Sequence, residues 1–291
     1  MDNNQSSYRQ ILKATSIFGG VQVLNIIISI IRSKFVAVLL GPSGMGIIGL
    51  LNSTTSLING LTSFGLGTSA VKDVAAANSL GNQTRIATVV TAFKRWVLMT
   101  GLLGTLVTFL LSPYLSQITF GNKDYTAAFA WIAITLLFVQ LTSGQNVILQ
   151  GMQKLKYLAQ ANLGGSILGL FVAVPLFYYF RIDAIVPVII LSSLFSLTVA
   201  WYFARKTKLV RIPLTVKNTV LEGKSMLMMG FMIGLSGLIG SATAYIVRIF
   251  ISRQGGLQDV GFYAAGFAII NTYVGLVFNA MATDYYPRLS A

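Results

Sequence analysis

The sequence predicts an all-α polytopic membrane protein of about eight transmembrane helices, on three observations. Of 291 residues, 55% are hydrophobic and only 10% charged, with a mean hydropathy of +0.74, whereas soluble domains carry about 25% charged residues. Apolar runs recur from end to end, each long enough for a hydrocarbon core of ~30 Å, which takes about 20 helical residues. Strand-type alternation is missing from these runs, and lipid offers no partner to an unpaired backbone group, so the runs are helices and not barrel strands.

The runs fall at 10–40, 44–66, 88–111, 125–149, 158–180, 184–204, 225–253 and 260–283. No small-residue cleavage site follows the first, which is therefore read as a retained helix rather than a signal peptide. Cations fix the orientation. Arg9, Lys13, Lys72, Arg85, Lys94, Arg95, Lys154, Lys156, the six of the connection between helices 6 and 7, and Arg288 make fifteen on one side. The opposite loops hold Lys123 and Arg181 beside the turns at Gly41-Pro42, Ser112-Pro113 and Gly255-Gly256. The positive-inside rule places both termini in the cytoplasm, so the net charge of +14 is a topology signal plus attraction to anionic lipid, not a nucleic-acid surface. The polar stretch 205–224 reads as a solvated amphipathic linker on the inner leaflet.

The sequence has no Cys and no His, which removes disulfides, thiol nucleophiles, zinc sites and imidazole acid–base chemistry. All seven acidic residues are expected in loops or near helix ends. Such a chain is not expected to be an enzyme, and nothing in it asks for a cofactor or a metal.

Helices 1 and 7 share a pattern. Arg32 and Arg248 each lie 23 residues into their segment, and each is followed by a glycine turn and a helix opening at Gly46 or Gly261. A parallel repeat of six-helix halves produces such an echo. The chain then divides into a six-helix lobe with the start of the linker at 1–212, and the linker's end with two helices of an incomplete second lobe at 213–291.

Polar residues run along one face of several helices: Gln22, Asn25, Ser29 and Arg32; Asn52, Ser56, Asn59 and Ser63; Ser241, Tyr245, Arg248 and Ser252. Helix 4 adds Gln140, Ser143 and Gln145, and helix 8 adds Asn271 and Asn279. Serine and asparagine stripes also serve as interhelical glue. Arginine differs, because at the bilayer centre it costs at least ~2.5–3.5 kcal/mol unless it meets water, a partner or a cavity. Arg32 precedes Gly41 by nine residues, roughly 13 Å of helix, beyond comfortable snorkelling. Lys34 and Arg253 lie nearer the outer end, where snorkelling suffices. With no carboxylate expected in a helix core, cations in a wet pocket call for an anion. Guanidinium forks onto phosphate oxygens, while Asn, Gln, Ser and Tyr suit sugar hydroxyls.

Gly44-Met-Gly46-Ile-Ile-Gly49 matches a dinucleotide fingerprint in letters only, since it follows a membrane helix and not a strand; its role is a tight turn and close helix packing. Gly165-x-x-x-Gly169 and Gly230-x-x-x-Gly234 read as close-packing sites inside the bundle.

The stretches RSKFVAVLLGPSGMGIIGLLN (32–52), ITFGNKDY (118–125) and YIVRIFISRQGGLQDVGFYAAG (245–266) resemble the Wzx-type O-antigen and polysaccharide flippases of the MOP exporter superfamily, whose more distant relatives include lipid II flippases and MATE multidrug exporters. The resemblance covers nearly the whole chain. It implies a MATE-like helical bundle, a place in the bacterial inner membrane, and alternating-access transfer of undecaprenyl-pyrophosphate-linked oligosaccharide from the cytoplasmic to the periplasmic leaflet. A polysaccharide polymerase and a chain-length regulator are further partners that such a role implies. By the same resemblance Arg32 matches a cavity arginine of the lipid II branch, Lys34 a lysine of the Wzx branch, and Arg248 the corresponding part of helix 7. The family has twelve or more helices, so a chain of about eight is expected to be truncated at its C-terminal side. Two other readings stay open: a gradient-driven drug–cation antiporter of the MATE type, and a non-transporting scaffold for polysaccharide assembly.

Overall fold

The computed structural model describes residues 2–207 and 212–270, with side chains from residue 20 onward except residue 22. Its elements are helices joined by short turns. Helix α1 (Asp2–Ser63) is two spans in one, broken where Gly41 takes φ 67° and ψ −174° and Pro42 restarts the helix. Then come α2 (Leu66–Ser79), α3 (Gln83–Leu110), α4 (Ser112–Phe120), α5 (Thr126–Gly151) and α6 (Leu155–Phe180). A 3₁₀ turn (Arg181–Ala184) leads to α7 (Ile185–Arg205), followed by α8 (Val216–Gly255) and α9 (Leu257–Ile269). The stretches long and apolar enough to cross a membrane are Val23–Ser63, Gln83–Leu110, Thr126–Gly151, Leu155–Arg205 and Val216–Gly255. The first and fourth are double spans, and α9 opens the eighth predicted run; residues 271–291, with Asn271, Asn279, Asp284 and Arg288, lie outside the described residues. The eight-helix expectation therefore matches, and the protein is a multi-pass membrane protein.

Two short helices appear where the sequence suggested turns. Phe64 and Gly65 both have positive φ and end α1, after which α2 runs on as a connecting helix carrying Lys72 and Asp73. Pro113 sits in the first turn of α4, where its missing N–H costs nothing. Asp73 is thus mid-helix rather than in a loop. Burial pushes its carboxyl up, Lys72 and Arg85 oppose that, and Glu222 adds to the rise.

Apolar cores close the two ends of the bundle. Near Gly41, Leu40, Leu51, Phe129, Ile132, Phe177 and Val188 are buried together. At the cation-rich end, Leu66, Val74, Val89, Phe93, Ile148 and Met226 form the counterpart. Between these cores the helix faces turn polar.

The echo between helices 1 and 7 is visible at one corner. Gly256 has φ 87° and ψ −174°, the geometry of Gly41. Each glycine needs a left-handed φ that side chains resist. Five residues beyond each comes a glycine pressed on the other's turn: a Cβ on Gly46 would strike the Leu257 carbonyl, and one on Gly261 the Pro42 carbonyl. The contacts are reciprocal, as a two-fold axis along the membrane normal requires.

The linker differs from expectation. Helix α8 starts at Val216, not near 225, and one face of its polar first turns is docked, while Lys217, Asn218 and Lys224 stay exposed. Arg95 donates to the Leu214 carbonyl and to Thr219 Oγ1, both at 2.8 Å. Trp96 Nε1 donates to the Thr219 carbonyl at 3.0 Å, Ser69 Oγ to the Met226 carbonyl at 2.6 Å, and Arg85 pairs with Glu222. Within 205–224, Leu214, Thr219 and Glu222 are thus held by side chains of α3. The Arg85–Glu222 pair is partly exposed, at 46% and 25%, so Glu222→Gln should cost under about 1 kcal/mol and less in high salt. Trp96→Phe should cost about 1 kcal/mol at any salt, because it removes the indole's hydrogen bond to the Thr219 carbonyl. Thermal unfolding in detergent at two ionic strengths separates the two.

Candidate functional site: a polar cavity around Arg32

Before Gly41, α1 presents Asn25, Ser29 and Arg32 on one face, at steps of four and three residues. That face borders a cavity of about 790 Å³. Ser29 and Arg32 line it from α1 together with Asn52 beyond the Gly41 break; Ser143, Asn146 and Gln150 line it from α5; Ser192, Ser193 and Ser196 from α7; Ala264 and Ala268 from α9. Phe177 and Val188 seal it toward the Gly41 end, and exposed Gln150 marks its reach toward the cation-rich end. A second chamber of about 370 Å³ adjoins it between α1, α6 and α7, lined by Asn25, Asn162, Ser166, Ser192 and Ser196. Arg32 stands in the wall of both.

The site is cationic and underpaired. No hydrogen bond or ion pair joins Arg32 to another described residue, and neither lining contains a carboxylate. Among the described residues, four buried side-chain atoms lack a partner: Asn25 Oδ1, Asn146 Oδ1, Ser192 Oγ and Arg248 Nε. The first three belong to cavity-lining residues, and Arg248 Nε lies 3.9 Å from where a Cβ on Gly49, itself a lining residue, would stand. Native proteins leave few buried polar atoms unpaired, so their concentration here marks a place built for hydrogen bonding to something else. Arg248 Nη1 donates to the Ala244 carbonyl at 3.2 Å, and its guanidinium lies 5.8 Å and 5.9 Å from the Tyr263 and Phe267 ring centres. It flanks the cavity without lining it.

Of the residues expected from sequence, Asn25, Ser29, Arg32 and Asn52 line the cavities. Lys34 is exposed and borders neither, having turned to the outer face of α1. Asn59 shares a face with Asn52 but lies two turns further along, clear of both linings. The side chain of Gln22 is outside the described residues. Tyr245 is buried, and its hydroxyl is spent at 2.8 Å on Thr119, which in turn lies 3.4 Å from Thr54. That chain ties α8 to α4 and α1, so Tyr245 fastens helices rather than lining the cavity. Arg253 donates to the Ile118 carbonyl at 3.3 Å instead of only snorkelling. Gln140 is buried against Thr100, its Nε2 donating at 3.0 Å, and is glue.

Sequence reasoning missed Thr142, Asn146, Asn162, Ser192 and Ser196. Ser143, Asn146 and Gln150 do follow each other at steps of three and four, a legible stripe once α5 is known to turn that face inward. The Gly165-x-x-x-Gly169 pattern behaves as expected: a Cβ on Gly165 would lie 3.1 Å from Ser196 Oγ, and one on Gly169 3.5 Å from Ser192 Oγ. These glycines let α6 and α7 approach closely enough to bring their polar residues to one chamber.

Residues 11–291 match the family model described as polysaccharide biosynthesis protein. A Shigella flexneri protein named, provisionally, as an O-antigen transporter is 24% identical over 271 residues, covering 91% of this chain and 63% of its own. Among solved structures, the inward-facing conformation of a multidrug resistance MATE family transporter of the MOP superfamily superposes with a TM-score of 0.68 at 17% identity, over 86% of this chain and 60% of that one. A second MATE multidrug transporter, DinF-BH, superposes at 0.64 and 12% identity, over 88% and 61%. The chain thus spans less than two thirds of the length of these relatives. It belongs to the polysaccharide biosynthesis protein family and has the helical fold of the MATE transporters of the MOP superfamily.

Proposed function

We propose that this protein moves undecaprenyl-pyrophosphate-linked oligosaccharide from the cytoplasmic to the periplasmic leaflet of a bacterial inner membrane by alternating access. The observation that carries the proposal is Arg32: a guanidinium in the wall of a polar cavity, nine residues before the Gly41 break in a stretch long and apolar enough to cross a membrane, with no described partner and no carboxylate in the lining. It would hold the pyrophosphate by charge-assisted hydrogen bonds, with Arg248 a second cation at the cavity's flank. Lys34, Asn59 and Tyr245 fall outside this set. Amides and hydroxyls around Arg32 would receive sugar hydroxyls, while the lipid tail stays in the bilayer. Family membership and the likeness to a protein named for O-antigen transport support the same substrate class.

With the cation-rich end in the cytoplasm, the Gly46–Gly261 corner is periplasmic and shut, and the cavity reaches the cytoplasmic side at Gln150. That is a loading state. Opening the corner while the cytoplasmic end closes would deliver the headgroup. A cationic drug is a poor occupant, since it would meet Arg32 with no carboxylate to offset it.

Reconstituted in vesicles, the protein should translocate a pyrophosphate-linked isoprenoid glycan at least tenfold faster than the same glycan joined to the isoprenoid through a neutral glycosidic bond. Soluble pyrophosphate should compete. Equal movement of the neutral compound would overturn the proposal.

A further inference from the structure

We infer that an apolar groove at the Gly41 end of the bundle seats one acyl chain of a zwitterionic phospholipid, whose primary ammonium pairs with Asp183 and whose phosphate pairs with Arg181. The groove has a volume of about 620 Å³ and lies between the second span of α1, α5 and α7. Ile47 and Leu51, both buried, line it from α1; Ala128 and Trp131 line it from α5, and Val186 and Ile190 from α7. It shares no lining residue with the polar cavities around Arg32. On α1 it takes Ile47 and Leu51 where the larger cavity takes Ile48 and Asn52, and on α7 it takes Ile190 where that cavity takes Ile189. It is therefore a separate site on another face of the same helices.

Volume, chemistry and charge select the occupant. The groove holds about twenty groups at ~30 Å³ each, the share of a water, and a methylene is no larger, so one acyl chain fills it. Asp183 and the Tyr125 hydroxyl are the polar side-chain groups of an otherwise apolar wall. Trp131 is 70% exposed, and an indole at such an opening suits the boundary between acyl chains and headgroups. Asp183 is exposed at the wall, and Arg181 is exposed two residues earlier. Lys123 and Asp124, also exposed, directly precede the lining residue Tyr125. Two cations and two carboxylates leave this rim without net charge. It favours a headgroup that carries both signs, and Asp183 repels a purely anionic one. No hydrogen bond or ion pair joins the side chain of Asp183 or Arg181 to another described residue. A primary ammonium brings N–H donors to the carboxylate, which a trimethylated one lacks, and the guanidinium forks onto phosphate oxygens. The backbone adds a further sign. Arg181 closes α6 at φ 49° and ψ −123°, its N–H donating to the Phe177 carbonyl. A glycine would take that turn freely. An arginine there keeps a guanidinium at the rim at a cost in strain, as outliers at ligand sites do.

The test uses the full chain in lipid nanodiscs with Trp96→Phe and Trp201→Phe, which leaves Trp131 as its one indole. Phosphatidylethanolamine, phosphatidylcholine and phosphatidylglycerol with identical brominated acyl chains are each titrated into unbrominated phosphatidylcholine, and quenching of Trp131 is read. Phosphatidylethanolamine should reach half-quenching at a mole fraction about fivefold lower than the other two. Asp183→Asn should erase that preference while leaving phosphatidylcholine within twofold, which also reports that the groove is intact. Asp183→Glu, which keeps the carboxylate, should retain the preference. Arg181→Gln should raise the half-quenching fraction of phosphatidylethanolamine about threefold. Ala128→Leu, which fills the groove, should reduce quenching by all three lipids. Equal quenching by the three lipids, or tighter binding of phosphatidylcholine or phosphatidylglycerol, would overturn the inference. So would a full preference for phosphatidylethanolamine that survives either Asp183→Asn or Arg181→Gln.

Discussion

Gly49→Cys combined with Ala264→Cys should close into a disulfide in the membrane and stop transport until a reductant is added. A Cβ built on Gly49 lies 3.6 Å from the Cβ of Ala264, inside the ~3.5–4.5 Å that a disulfide requires. Neither position is strained: nothing lies nearer to the added carbon than that methyl group. The chain contains no other cysteine, so the crosslink admits one assignment. The pair joins α1 to α9 just inside the reciprocal Gly46–Gly261 contacts, the part of the molecule that must come apart if the cavity is ever to open at that end. A lock at this point would hold the loading state, allowing substrate to bind but not to leave. The readouts are a reductant-sensitive mobility shift and transport with and without dithiothreitol, with each single variant as an active control. A fully crosslinked protein that transports at the ordinary rate would show that this corner is no gate.

The apolar runs were legible because the bilayer imposes a minimum span that composition cannot hide. What the sequence concealed were places where a polar segment is helical because it has a partner. Val216–Lys224 reads as linker by composition, yet Thr219 and Glu222 meet Arg95, Trp96 and Arg85 from α3. Helix α4 hid behind Pro113, which marks a turn as readily as a first helical residue. At the site, one-face spacing found Asn25, Ser29 and Arg32, because an arginine in mid-membrane fixes which face is wet. It failed for Tyr245, whose spacing from Arg248 is right but whose hydroxyl is taken by Thr119. It could not choose among the serines of α7, because Ser192 and Ser196 differ from their neighbours only in facing Gly169 and Gly165. Periodicity gives a face; only the neighbouring helix says whether that face meets protein, lipid or water.

Arg32→Ala should abolish complementation of a flippase-null strain while leaving the protein at least as abundant in the membrane as before. The two halves of this expectation come from one physical fact. A guanidinium in the wall of a cavity within the membrane keeps part of its desolvation cost, and no described residue pairs with Arg32 to offset it. Removing it therefore relieves the fold rather than breaking a contact, and thermal unfolding in detergent should stay level or rise. Function should move the other way. Loss of a charge-assisted, forked grip on phosphate, about 1.5–3 kcal/mol for a single charged hydrogen bond and more for two in parallel, predicts a fall in transport on the order of a hundredfold. Arg32→Lys keeps the charge but not the fork, so it should recover part of the activity. Arg32→Gln keeps hydrogen-bonding capacity without charge and should recover almost none. That ordering separates anion binding from mere cavity shape, because glutamine resembles arginine's stem more closely than alanine does. A well-expressed Arg32→Ala protein with full complementation would mean that the guanidinium is tolerated in the bilayer for a reason other than its ligand, and the phosphate assignment would fall with it.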